Sequence, residues 1–291
     1  MMQPEIRHDM EKCTHCMLCL EDCVSGVMRV KNGDPNAAYP HLCNLCSHCV
    51  AVCPVGAVEN SALKMDEVRC VDKQKIAPEY FLEILRSRRS VRHYKDRPVE
   101  KEVLGKILDA ARFSPTSSND QNVAYIVVTD SQIINKAAGI IWDVSSRAYG
   151  FVQKAPFKQI LKALKKLCPH SKLLGYTEVM DYYIEEVEKG RDFILHKAPV
   201  LILVMAPKKA LFACDNCNIA ACNITNYANS LGLGTCYIGF MTLACRYLKS
   251  LRKLLGIPNN QRVYASLVMG YSKYKHTNTT SRKQPQVHWI G

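Results

Sequence analysis

Only 2 of the 291 residues are tryptophan, and the longest purely apolar stretch, Ala198 to Ala206, is nine residues with a proline among them. A bilayer-crossing helix needs about 20 apolar residues, so no span is expected. The opening residues lack a basic start, an apolar run and a small-residue cleavage site, so a soluble, cytoplasmic protein is expected. No G-x-x-x-x-G-K-[ST] run occurs, and Gly232-Leu233-Gly234 lacks the third glycine of a dinucleotide fingerprint. P-loop and Rossmann nucleotide sites are therefore not expected. With neither G-x-S-x-G nor H-E-x-x-H, serine hydrolysis and zincin chemistry have no footing. Asn223-Ile224-Thr225 and Asn278-Thr279-Thr280 match glycosylation sequons by chance, given no secretory signal.

Negative charge is scarce overall, 26 Asp and Glu against 39 Lys and Arg for a formal net of +13. The deficit is uneven. Residues 1–70 carry 6 basic and 9 acidic side chains, net −3, leaving 33 and 17, net +16, to residues 71–291. A basic chain invites a nucleic-acid reading, yet no helix-turn-helix or RNA-module signature accompanies it, and no nucleic-acid partner is expected.

Cysteine is abundant: 15 in all, eight of them within the first 53 residues. They form two runs of one spacing, Cys13-x2-Cys16-x2-Cys19-x3-Cys23 and Cys43-x2-Cys46-x2-Cys49-x3-Cys53-Pro54. In a reducing compartment such clusters read as metal ligands rather than disulfides. Three thiolates two residues apart let a tight loop wrap three corners of an iron–sulfur cube, and the fourth cysteine closes the opposite cube. Paired zinc sites are the alternative, but zinc has no use for the middle cysteine of each run or for the Cys-Pro ending. The other thiols, Cys70, Cys168, Cys214, Cys217, Cys222, Cys236 and Cys245, read as packing groups, because Cys214 to Leu231 has the pattern of a small-residue helix.

The cysteine repeat resembles the bacterial two-cluster ferredoxins over residues 1–65. The resemblance implies one [4Fe-4S] cluster on Cys13, Cys16, Cys19 and Cys53 and another on Cys43, Cys46, Cys49 and Cys23. Val24 stands where that family usually has proline.

Residues 66–78 read as a linker, and residues 79–291 as an α+β domain with helices covering a sheet. Helices are expected over Val103–Ala111, Phe157–Leu167, Glu178–Glu188, Cys214–Leu231 and Thr242–Leu255. Strands are expected over Ala124–Thr129, Pro199–Met205 and Val263–Met269. The clusters carry electrons singly, whereas organic substrates mostly accept pairs, and a flavin converts between the two. The Arg88–Arg92 run and the Pro115–Asn119 loop offer the guanidinium, hydroxyl and amide groups that a flavin mononucleotide calls for.

Arg88, Ser90 and Arg92, followed by Ser114, Pro115, Thr116, Asn119 and Gln121, resemble the motifs of the FMN-dependent nitroreductase family. Further matches follow in order: Ala198-Pro199 before an apolar strand, Asp215 opening a helix, Gly232 through Gly239, and Gly270-Tyr271 before a basic tail. Asn122 departs from that family's usual proline. The resemblance implies an intertwined homodimer with a mainly antiparallel sheet, FMN at two interface sites, and electrons arriving from NAD(P)H or a reduced ferredoxin-type donor. Arg88, Ser90 and Arg282 would hold the FMN phosphate with help from Lys283, and Arg92 would lie at the ring's N1 and O2 edge. Pro115, Thr116, Ser117 and Asn119 would reach the FMN held mainly by the other subunit. Ile238 and Gly239 would line the ring near N5, which is the reactive centre, so no catalytic side chain is expected.

The expected acceptors are nitroaromatics and quinones, reduced by ping-pong turnover. Reductive dehalogenation or enone reduction on the same fold, and a non-catalytic electron carrier or redox sensor, are the rival readings. Phe157, Ile160, Leu161, Leu164 and Leu167 share one helical face, opposite Lys158, Lys162, Lys165 and Lys166. This face is expected to cover the core with snorkelling lysines, which could favour the phosphates of NADPH.

Overall fold

The computed structural model describes residues 4–154, 156–168 and 171–291, the side chains of 162, 165 and 172–178 excepted. The chain divides into two compact units: Met1–Ala77 with Thr116–Gln121, and Pro78–Pro115 with Asn122–Gly291.

The first unit repeats itself as the cysteines do. Strand β1 (Ile6–His8), helix α1 (Leu18–Glu21), strands β2 (Met28–Lys31) and β3 (Asp34–Ala37), helix α2 (His48–Val52) and strand β4 (Val58–Asn60) follow in order. β1 pairs antiparallel with β4, and β2 with β3. The backbone repeats at an interval of thirty: His15 and Leu45 are left-handed at φ 53° and 55°, Met17 and Ser47 at 60° and 65°, Gly26 and Gly56 at 62° and 61°. A small core of Val27, Met28, Val50 and Val58 joins the two halves.

The second unit opens with α3 (Pro78–Ser87) and α4 (Lys101–Arg112), then β5 (Ala124–Val128), α5 (Ser131–Val152), α6 (Phe157–Leu167) and α7 (Lys172–Glu188). β6 (Val200–Pro207), α8 (Ala213–Ser230), β7 (Leu233–Tyr237), α9 (Gly239–Tyr247), α10 (Lys249–Leu254) and β8 (Gln261–Tyr271) complete it. The strands form one antiparallel sheet in the order β5-β6-β8-β7. This is the expected α+β fold with a mainly antiparallel sheet. The unbroken apolar run of β6 is explained by burial on both faces. Leu201, Leu203 and Met205 pack with α5 and α9 on one side, while Val200, Ile202, Val204 and Ala206 pack with α4 and α8 on the other.

Three features depart from the sequence reading. The strands expected from sequence omit one: within the Gly232–Gly239 motif, Leu233–Tyr237 forms β7, paired antiparallel with β8. The single helix expected over Thr242–Leu255 is two, parted at Leu248, which is extended at φ −93°, ψ 106°. Arg252 reaches across that break to the carbonyls of Cys245, Pro258 and Gln261. The apolar face of α6 is not packed away, since Phe157, Ile160, Leu164 and Leu167 are exposed. α6 therefore does not act as the expected covering helix. The side chains of Lys162 and Lys165 lie outside the described residues. Among the described residues no helix is long and apolar enough to cross a membrane.

Candidate functional site

The eight N-terminal cysteines gather into two sets that cross the runs. One cavity is lined by Cys13, Cys16, Cys19 and Cys53, another by Cys23, Cys43, Cys46 and Cys49. The crossing follows from the local fold. α1 and α2 begin just after the second left-handed residue of each run, Met17 and Ser47, and lead on to Cys23 and Cys53 at the other half. Left-handed non-glycine residues cost about 1–2 kcal/mol each, and the loops that wrap the thiols hold two apiece.

The sulfurs already have partners for negative charge. The Ala57 amide donates to Cys53 Sγ at 3.2 Å, and His8 Nε2 lies 3.6 Å from Cys19 Sγ. Burial pushes the Cys49 thiol up to about 11, and the neighbouring Cys43, Cys46 and Cys23 add to the shift. Burial also raises Cys19. Cys49 and Cys19 thus resist ionising until a positive core sits beside them, which is what an iron–sulfur cluster supplies. Among the described residues no three His, Cys, Asp or Glu side chains are grouped as a single metal ion requires. The donor sets fit clusters.

In the second unit the Arg88–Arg92 run is pinned alongside β7. Ser90 forms a parallel bridge with Thr235, and the Val91 amide donates to the Thr235 carbonyl at 2.9 Å. Gly234 is required there, because a Cβ on it would meet Val91 Cγ2 at 2.5 Å. The pinning brings Ser90 and Arg92 to Cys236, where both hydrogen-bond toward its sulfur and partly offset the upward push of burial. Partial burial of the Tyr237 phenol, on a residue 42% exposed overall, pushes it up to about 12, with Cys222 adding to the shift.

Arg92, Cys236, Ile238 and Gly239 border a cavity of about 760 Å³, walled by Trp142, Tyr183, Phe193 and Phe240. A Cβ on Gly239 would meet nothing within 4 Å, so that edge of the cavity is open to a flat group. A cation and a hydroxyl at one rim, a glycine floor and aromatic walls suit an isoalloxazine ring and a planar reactant.

The structure does not bring every expected residue here. Arg282 bonds within its own tail, to Thr280 Oγ1 and the Ser281 carbonyl. Lys283 is exposed on that tail. The tail meets the basic run at Arg89, whose Nη2 donates to the Asn278 carbonyl at 3.1 Å. Pro115 closes a stretch of the second unit, while Thr116, Ser117 and Asn119 belong to the first. There Asn119 Nδ2 donates to the carbonyls of Asn44 and Leu45, 3.0 Å each. Cys236, taken from sequence as a packing thiol, lies in the cavity wall, and Trp142, Tyr183, Phe193, His196 and Phe240 carry no motif that marks them.

Residues 85–271 match the model of the Nitroreductase family, and residues 12–58 that of the 4Fe-4S dicluster domain. A "Putative NADH dehydrogenase/NAD(P)H nitroreductase" of Archaeoglobus fulgidus is 29% identical over 195 residues, 67% of this chain and 87% of that protein. Iodotyrosine deiodinase 1 of Rattus norvegicus is 28% identical over 201 residues, 66% of this chain and 61% of that one. The crystal structure of an FMN-bound nitroreductase from Desulfitobacterium hafniense superposes with a TM-score of 0.54 at 20% identity, covering 74% of this chain and all of the other. It shares the fold.

Proposed function

The chain belongs to the nitroreductase family and carries a 4Fe-4S dicluster domain ahead of that family's domain, and on that premise we propose that it is an iron–sulfur flavoprotein oxidoreductase. In this reading it takes electrons from NAD(P)H or a reduced ferredoxin-type protein and delivers them in pairs to nitroaromatic, quinone or similar planar acceptors. When bound, FMN supplies the two-electron centre and two clusters supply one-electron relays.

The observation that carries the reading is the aromatic cavity bounded by Arg92, Ile238 and Gly239 next to the pinned Arg88–Arg92 run. Arg92 stabilises negative charge at one edge of the ring, and Arg88 and Ser90 serve its phosphate. Arg282, Lys283 and the Pro115–Asn119 segment complete the site in a homodimer, in which the exposed face of α6 and the tail after Tyr271 are available to a second copy. With no nucleotide fold of its own, the chain takes donor and acceptor in turn over one ring face, which gives ping-pong kinetics. Cys13, Cys16, Cys19 and Cys53 hold one cluster, and Cys43, Cys46, Cys49 and Cys23 the other.

Counting iron, sulfide and flavin on anaerobically purified protein tests this. About eight iron and one FMN per chain are expected, and zinc without flavin contradicts the reading. The similarity to a deiodinase supports a second reading, reductive dehalogenation of halogenated phenols at the same cavity. Relative kcat/KM on matched nitro- and iodophenols separates the two.

A further inference from the structure

Beside the aromatic cavity lies a second of about 490 Å³, and Arg92, Phe193 and His196 border both. The rest of the wall is mainly basic, with His93, Arg191, Lys197 and Lys273 beside Tyr94, Gly190 and Asp192. An antiparallel bridge between Tyr94 and Ser272 and the Lys273 amide on the His93 carbonyl at 2.9 Å bring Lys273 across to it. The charges are not balanced from within. Among the described residues Arg92, Lys197 and Lys273 have no carboxylate partner, while Arg191 is held by Glu186 at 3.3 Å and stacks on Phe193 at 4.5 Å.

The one carboxylate in the wall, Asp192, is used by the backbone. Oδ1 accepts from the amides of Ile194 at 2.7 Å and Leu195 at 3.0 Å, and Oδ2 accepts from that of Lys197 at 3.0 Å. These bonds hold His196 and Lys197 in consecutive left-handed conformations, φ 60° and 49°. Strain of this kind is kept where the chain must present particular groups, and here it presents His196 to both cavities and Lys197 to the basic one. Burial keeps the His196 imidazole below the usual histidine value, so at neutral pH it is a hydrogen-bonding partner rather than a further charge.

We propose that this basic cavity is a subsite for the oxyanion group, a carboxylate or a phosphate, of the planar reactant whose ring enters the aromatic cavity. The favoured acceptors are then aromatic acids rather than neutral aromatics, with Lys197 and Lys273 supplying charge-assisted hydrogen bonds to the anion. The inference rests on the flavin reading for what lies in the aromatic cavity, whereas the basic wall is described from this chain's own residues. Removing a lysine that binds ground state and transition state alike raises KM and leaves kcat unchanged.

The test uses the full FMN-containing chain with 4-nitrobenzoate and nitrobenzene as probes, by calorimetric titration without donor and by steady-state kinetics. Lys197→Gln with Lys273→Gln is expected to weaken 4-nitrobenzoate on the order of tenfold or more, as lost bonds to a charged group do, with its kcat unchanged. Nitrobenzene is expected to change by less than about twofold, since it lacks the charged group. Equal weakening of both probes, or of neither, overturns the proposal. A loss confined to NADPH relative to NADH overturns it too, by giving the cavity to the donor's extra phosphate. Lys273→Gln alone, which keeps the backbone bond to His93, carries the same test should the double variant not fold. The flavin count on the same sample separates the two readings: a chain without FMN defeats the flavin reading, while calorimetric preference for 4-nitrobenzoate still decides the subsite.

Discussion

His196 shows how a single residue is set by what surrounds it. Burial is the largest influence lowering its imidazole pKa, Asp192 opposes it, and Arg92 and His93 add to the lowering. In the unfolded chain a histidine titrates near 6.5. As pH falls through about 6.5, the unfolded chain takes up a proton that the folded chain refuses, so stability present above that pH is lost below it. An imidazole proton-shift titration is expected to give a His196 midpoint under 6.5, and His196→Gln is expected to flatten the fall in stability on the acid side. A midpoint at or above 6.5 contradicts the buried placement. The same scale separates what sequence displays from what it hides. Arg92, Ile238 and Gly239 stand in ordered motifs, whereas His196 and Lys197 gain meaning only from the Asp192 hydrogen bonds that turn the chain beneath them.

At the scale of elements, sequence is most informative where one local signal decides. β6 is legible because a strand buried on both faces must be apolar throughout, and the cysteine runs are legible because thiolate spacing is itself the geometry. β7 is not, since Leu233-Gly234-Thr235 has the composition of a turn and becomes a strand only through β8 and the close approach of Val91. The aromatic cavity is hidden for a related reason: Trp142 comes from α5, Tyr183 from α7, Phe193 from the loop before β6 and Phe240 from α9. No single window of sequence contains it. The crossed cysteine sets yield a prediction at this scale. Cys13→Ser with Cys53→Ser removes ligands of one cluster and is expected to cost about four irons, whereas Cys13→Ser with Cys23→Ser touches both and costs about eight. Iron analysis with low-temperature spectra of the reduced variants distinguishes these outcomes, and the reverse order contradicts the crossing.

For the whole molecule, the uneven charge has a chemical explanation that does not involve nucleic acid. The net −3 of residues 1–70 is counted with neutral cysteines, and each four-thiolate [4Fe-4S]²⁺ site adds about two negative charges. In the proposed reading the net +16 of residues 71–291 serves the flavin phosphate and, by the inference above, the anionic groups of reactants. In the proposed reading the two units carry electrons differently, singly on the clusters and in pairs on the flavin, and that difference is the central claim. Anaerobic reductive titration of the purified chain, followed by visible absorbance and electron paramagnetic resonance, measures it directly. Two clusters and one FMN together take up about four electrons per chain, two of them bleaching the flavin band. An uptake of about two electrons with no cluster signal, or cluster reduction with no flavin to bleach, contradicts the account.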